Sequence, residues 1–171
     1  CPTLLPRDTM LANVQGAFNA VHVTSKALGP VLFYGQGAGM LPTAAAVVSD
    51  VIELGRNILR GTSGRLPHLA FHPDLVAHRS LRDPAESRCP FYLRFVVHDQ
   101  PGVVAALAGA LGAQDISISR MVQEGAPGAS GVPVIILTHV AREGSIVAAV
   151  EAIDQLNFVA EPTTWLRIEE G

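Results

Sequence analysis

With 171 residues, 49% hydrophobic and 16% charged, the chain has the size and composition of one medium or two small domains that bury a core, which excludes disorder throughout. Its net charge of −3 is unevenly placed: residues 1–66 hold five basic and three acidic groups, residues 91–171 four basic and nine acidic. An acidic C-terminal half repels phosphate backbones, and aromatics at 5% offer no stacking platform, so nucleic acid is not an expected partner.

Cys1-Pro2 is no natural initiation and Met10 lies inside a continuous segment, so the chain reads as cut from something longer. No basic-then-apolar leader opens it. Cys1 and Cys89 form no CxxC or metal-type spacing, and two lone thiols fit a reducing cytoplasm. The first structured stretch is Phe18 to Ser25, rich in β-branched and aromatic residues. Lys26 to Pro30 supplies turn chemistry and Val31 to Tyr34 a second apolar run, which together predict a hairpin. A glycine corner follows, Gly35-Gln36-Gly37-Ala38-Gly39, and Pro42 suits the first turn of a helix. Ala44, Val47, Val48, Val51, Ile52 and Ile58 then recur at helical spacing until Gly61. Gly29 to Ser49 runs 21 residues without a charge, but its glycines and its two prolines, Pro30 and Pro42, would break a membrane-spanning helix.

Residues 62–88 carry Pro67, Pro73, Pro84 and no clear period, and read as a linker. His68, His72 and His78 fall there. Pro73 interrupts any shared helical face and no carboxylate or cysteine cluster completes a shell, so they read as solvated histidines and not as a metal site.

The last eighty or so residues are more regular. Phe91 to His98 alternates like a half-buried strand, and helical spacing begins at Val103 after Pro101 and Gly102. Ile116, Ile118, Arg120 and Val122 alternate with Ser117, Ser119 and Met121 as a second strand. A glycine-rich loop, Glu124 to Gly131, leads to a third strand at Val132 to His139. Ile146, Val150, Ile153 and Leu156 mark a second helix, and a last strand ends near Ile168, with Pro162 confining its first part to an edge or bulge. The order βαββαβ is the split βαβ, ferredoxin-like arrangement, so the fold class is α+β.

Two places invite chemistry. The glycine corner allows close backbone approach at a helix start, yet it departs from G-x-G-x-x-G because the third glycine comes one residue early, so a plain strand-to-helix turn competes with ligand contact. The turn Asp99-Gln100-Pro101-Gly102 admits two compatible roles. Asp99 can cap the helix, or the turn can take a small molecule whose carboxylate meets helix-start N–H groups and whose ammonium meets Asp99. Ser25, Ser49 and Ser80 lack a G-x-S-x-G elbow, so no nucleophile constellation is visible.

The segment from Asn13 to Ile52, with Asn19-Ala20-Val21, Gly35 to Gly39, Pro42-Thr43-Ala44 and Asp50 in order, resembles the closing part of the homoserine dehydrogenase catalytic region. The segment from Tyr92 to Gln123, with its D-x-P-G-V turn and I-S-I strand, resembles an ACT domain; Ser117 stands where many amino-acid-binding members have asparagine. The two resemblances imply a catalytic-region piece at 1–61, a linker at 62–88 and an ACT regulatory domain at 89–171. They imply a parent that interconverts homoserine and aspartate semialdehyde with NAD(P), with Gly39 beside the nicotinamide end. They also imply a homodimer through the ACT domain and an effector, threonine by preference, held by Asp99, Gln100, Pro101, Gly102, Val103, Ile116, Ser117 and Ile118. The family's dinucleotide fold, catalytic lysine and acidic substrate-binding residues have no counterpart here, since Lys26, the one lysine, sits in the hairpin turn. No catalytic residue is therefore expected in this stretch, and it is not expected to bind cofactor alone. The alternative is a stand-alone ACT-type binding or dimerisation module.

Overall fold

The computed structural model describes residues 2–62, 76–78, 80–123 and 131–169. They form two compact units: residues 7–80, and residues 1–6 together with 81–171.

In the first unit β2 (Phe18–Ser25) and β3 (Gly29–Gln36) pair antiparallel over their whole length, Phe18 opposite Gln36 and Ser25 opposite Gly29. Gly29 closes the three-residue loop at φ 69°, a left-handed conformation that glycine adopts without steric cost. Phe18 and Tyr34 stack at the open end, centroids 5.0 Å apart. Helix α1 (Met40–Leu59) begins two residues before Pro42, which fits the first turn as predicted because its missing N–H would have no intrahelical partner there. None of the residues of α1 is buried, although its apolar stripe is intact.

The second unit contains the βαββαβ order: β5 (Phe91–Val97), α2 (Val103–Gly112), β6 (Ile118–Gln123), β7 (Val132–Thr138), α3 (Glu143–Asp154) and β9 (Val159–Ile168). The strands lie in the order β9-β5-β7-β6, every neighbour antiparallel. One face of the alternation is fully buried, with Phe91, Leu93, Phe95 and Val97 from β5 and Val134 and Ile136 from β7. Val103, Leu107 and Leu111 of α2 and Ile146, Ala149, Val150 and Ile153 of α3 pack on it at helical spacing. Each fully buried large side chain there contributes roughly 1.5–3 kcal/mol. Pro162 sits where the β5–β9 register slips, as its lack of an N–H requires, and the next amide, of Thr163, donates to the Asp154 carboxylate at 3.1 Å.

Three features differ from the sequence reading. A strand β1 (Thr3–Leu4) lies parallel to β9, Thr3 opposite Arg167 and Leu4 opposite Ile168, so residues 1–6 join the second unit. Two residues carry no periodicity, and only a partner edge reveals them as a strand. Residues 81–88 are no free linker: Asp83 caps the turn Pro84–Glu86, and β4 (Arg88–Cys89) pairs with β8 (Ala141–Arg142). The second long strand starts at Ile118 and not at Ile116. Asp115 turns the chain at φ 59°, and the Ile116 amide still donates to the Leu111 carbonyl at 3.1 Å.

Candidate functional site

An open cleft of about 450 Å³ lies where β5 ends and α2 begins, between the Asp99–Gly102 turn, Val104, Ala108, Gln123 and Val134. The sequence dictates this corner. After the buried run ending at Val97, Pro101 cannot continue a ladder, and Gly102 takes φ 91° to turn the chain into α2. A Cβ on Gly102 would meet nothing within 4 Å, so glycine is needed there for its backbone angle and not for room. The N-cap residue is Gly102, and no side chain caps the helix. Capping by Asp99 is thus not observed, because the helix starts too late for its carboxylate to reach N2 or N3. Asp99 is exposed; the Val103 amide donates to the Gln100 carbonyl at 3.5 Å, while the next amides of α2, of Val104 and Ala105, by helix geometry lack intrahelical acceptors, and these residues line the same cleft. A carboxylate beside helix-start donors is complementary to a zwitterion.

Of the sequence-predicted residues, Asp99, Gln100, Gly102 and Val103 line this cleft. Pro101, within the turn, and Ile116, Ser117 and Ile118 do not. Ile118 is opposite Thr138 in β7, whereas Val97 is opposite Val132, which puts the two groups at opposite ends of the sheet in one copy. Six residues of strand separate those levels, about 20 Å. Ile116 is 4% exposed and belongs to the core, so only its backbone is available to a ligand, whereas the Ser117 side chain is exposed. Sequence reasoning missed Gln123 and Val134, which join the cleft only through strand pairing. It also missed Gly131, at φ 134°, whose added Cβ would lie 2.7 Å from the Val97 carbonyl oxygen.

The glycine corner is built differently. Gly39 is the N-cap of α1 at φ 125°, ψ 147°, and its carbonyl accepts from Thr43 at 3.2 Å. A Cβ there would lie 3.3 Å from Pro42 Cδ. Gly37 donates its amide to the Ala17 carbonyl at 3.1 Å, and a Cβ on it would collide with the Asn19 amide group. Asn19 and the corner therefore form one unit, which the spacing of the motif alone does not show.

Elsewhere, the buried Glu143 carboxylate takes two contacts from Arg167, Nε at 2.7 Å and a terminal nitrogen at 2.5 Å. Beside them burial pushes the Cys89 thiol above the ordinary cysteine range, outweighing a hydrogen bond to the Ile168 backbone and the pull of Arg167. Among the described residues no group of three metal-ligating side chains forms, and no helix is long and apolar enough to cross a membrane. His78 is exposed; His68 and His72 lie outside the described residues.

Comparison with known proteins agrees with both halves. The homoserine dehydrogenase family model matches residues 1–52, and the ACT domain model matches residues 91–158. Homoserine dehydrogenase of Neisseria gonorrhoeae is 40% identical over 168 residues, covering 98% of this chain and 39% of that protein. That of Pseudomonas aeruginosa is 39% identical over 170 residues, covering 99% and 39%. The crystal structure of a homoserine dehydrogenase from Thiobacillus denitrificans superposes with a TM-score of 0.81 at 40% identity, over 98% of this chain and 38% of that one. The chain thus spans about two fifths of the length of the relatives it matches. A hairpin and glycine corner like those of the one family and a βαββαβ unit of the other stand in one chain, which matches homoserine dehydrogenases as a C-terminal portion that carries an ACT domain.

Proposed function

We propose that the parent enzyme interconverts homoserine and aspartate semialdehyde with NAD(P), and that this portion regulates it. The parent's nicotinamide cofactor supplies the hydride chemistry. The contribution of this chain is the corner at Gly39, where a missing side chain at a helix start leaves room for close approach. Among the described residues nothing else suits a dinucleotide, so the 171-residue chain alone is expected neither to hold the cofactor nor to oxidise homoserine.

The ACT domain is read as a sensor of a small amino acid, threonine by preference, working as a homodimer. The observation that carries this reading is the cleft that Asp99 lines together with the first residues of α2. Strand β6 is an outer strand of the sheet, and pairing two copies antiparallel along it would remove an exposed edge from each. That pairing sets the start of one β6 beside the end of the other, bringing the partner's Ser117 and the partner's Ile118 towards Gln123 and the cleft. Such a seam unites the two groups that lie apart in a single copy. Calorimetry with threonine, methionine, isoleucine and homoserine tests it: threonine should bind at millimolar concentration or below, and Asp99→Ala should abolish binding. If none binds, the domain is a dimerisation module and not a sensor.

A further inference from the structure

The chain passes between its two units twice, after residue 6 and after residue 80. Both crossings enter the ACT unit at the same end of the sheet. Residues 3 and 4 pair with Arg167 and Ile168, and Arg167 is opposite Phe91 at the start of β5. At that level the Phe91 amide donates to Thr138 Oγ1 at 3.0 Å, and Thr138 is opposite Ile118. The second crossing continues as a strap, residues 81–89, held on the start of α3. Glu86 forms an ion pair with Arg142, the Ser87 carbonyl accepts the Glu143 amide at 2.9 Å, and Arg88 and Cys89 pair with Arg142 and Ala141.

The strap is a short step from the predicted effector strand. The His139 amide donates to the Ser117 carbonyl at 2.9 Å, and only Val140 separates His139 from the strand that holds the strap. Each link is one hydrogen bond or one short ladder, so a displacement at Ser117 reaches residues 81–89 along the backbone of residues 139–142, at the margin of the core. The cleft, in contrast, lies at the far end of the same copy.

We infer that effector occupancy is read in trans: an amino acid in the Asp99 cleft of one copy fixes the partner's Ser117, and through the partner's His139 tightens the strap that leads into the partner's other unit. This rests on the sensor reading above and adds to it the direction of the signal. A ligand that prefers the tightened strap shifts that equilibrium by its differential affinity. The strap is thereby the regulated element, and the cleft of a given copy does not act on its own strap.

Mixed dimers test this. A ¹⁵N-labelled Asp99→Ala chain is paired with an unlabelled wild-type chain, so that the labelled copy cannot bind at its own turn but still lends Ser117 to the intact cleft. On titration with threonine, the His139 and Arg142 amides of the labelled copy should shift. Exchange of its Glu143 amide should slow by about fivefold or more, the lower end of ordinary coupling between sites. In the reverse pairing, labelled wild type with unlabelled Asp99→Ala, the labelled strap amides should stay put. Threonine binding by calorimetry with the shifts confined to that reverse pairing, or absent from both, would overturn the trans reading and leave the sensor intact. No binding in wild-type dimers would remove both.

Discussion

Gly131 decides how β7 can begin beside the end of β5. Its φ of 134° is one L side chains rarely adopt, and a Cβ would press on the Val97 carbonyl oxygen, a backbone atom that cannot swing aside. Gly131→Ala is therefore expected to destabilise the ACT unit by about 1–3 kcal/mol, read from the urea midpoint. An unchanged midpoint would show that the loop relaxes freely. Gly39→Val acts at the other glycine that matters. In the full-length enzyme it should raise the cofactor KM or lower turnover while leaving the ACT unit folded, and normal kinetics would remove Gly39 from the cofactor end. Cys89 gives a pH prediction. Its folded pKa is raised, so the neutral thiol is the favoured form in the fold. The stability linked to it is complete below the unfolded thiol's pKa and is lost as pH rises through the higher folded value. In a Cys1→Ser background, iodoacetamide should label Cys89 with a pH midpoint above that of the same chain in urea. A coincident midpoint would contradict burial as the cause.

At the scale of elements, the ion pair between α3 and β9 tests how the second unit is held together. Glu143 is 7% exposed, and Arg167→Ala would leave its carboxylate buried and unpaired, at a cost of about 3 kcal/mol or more. Arg167→Met combined with Glu143→Gln should be milder, since no net charge then stays buried; equal losses for the two would argue against the pair. The same elements show what a sequence reveals. Phe91, Leu93 and Phe95 alternate, Val103, Leu107 and Leu111 recur at four, and both patterns follow from burial on one face, so β5 and α2 were legible. The hairpin was legible through Gly29, whose angle the turn demands. Strands β1, β4 and β8 were not, because two residues have no period and exist only by pairing with something distant in sequence. The same holds for the site. The Asp99 turn is a local motif, while Gln123 and Val134 join it through strand register; the proposed seam with Ser117 would need a second copy.

The whole molecule joins parts of unequal burial. The sheet, α2 and α3 share a continuous core, whereas α1 buries none of its residues. Amides of β5 and β7 should therefore exchange far more slowly than those of α1, with protection of α1 at or near that of an isolated helix. Equal protection throughout a monomer would mean that α1 has found cover. The parallel pairing of β1 with β9 bears on how the chain carries force. Residues 3 and 4 lie alongside 167 and 168 with the same direction, and the Glu169 amide donates to the Leu4 carbonyl at 3.0 Å. A pull applied at residues 2 and 169 would draw such strands lengthwise past one another, loading their hydrogen bonds together. Tension then passes straight from β1 to β9, and the residues between them form a slack loop. The β2–β3 hairpin, which under an end-on pull would open one pair at a time from Phe18 and Gln36, stays shielded until that joint slips.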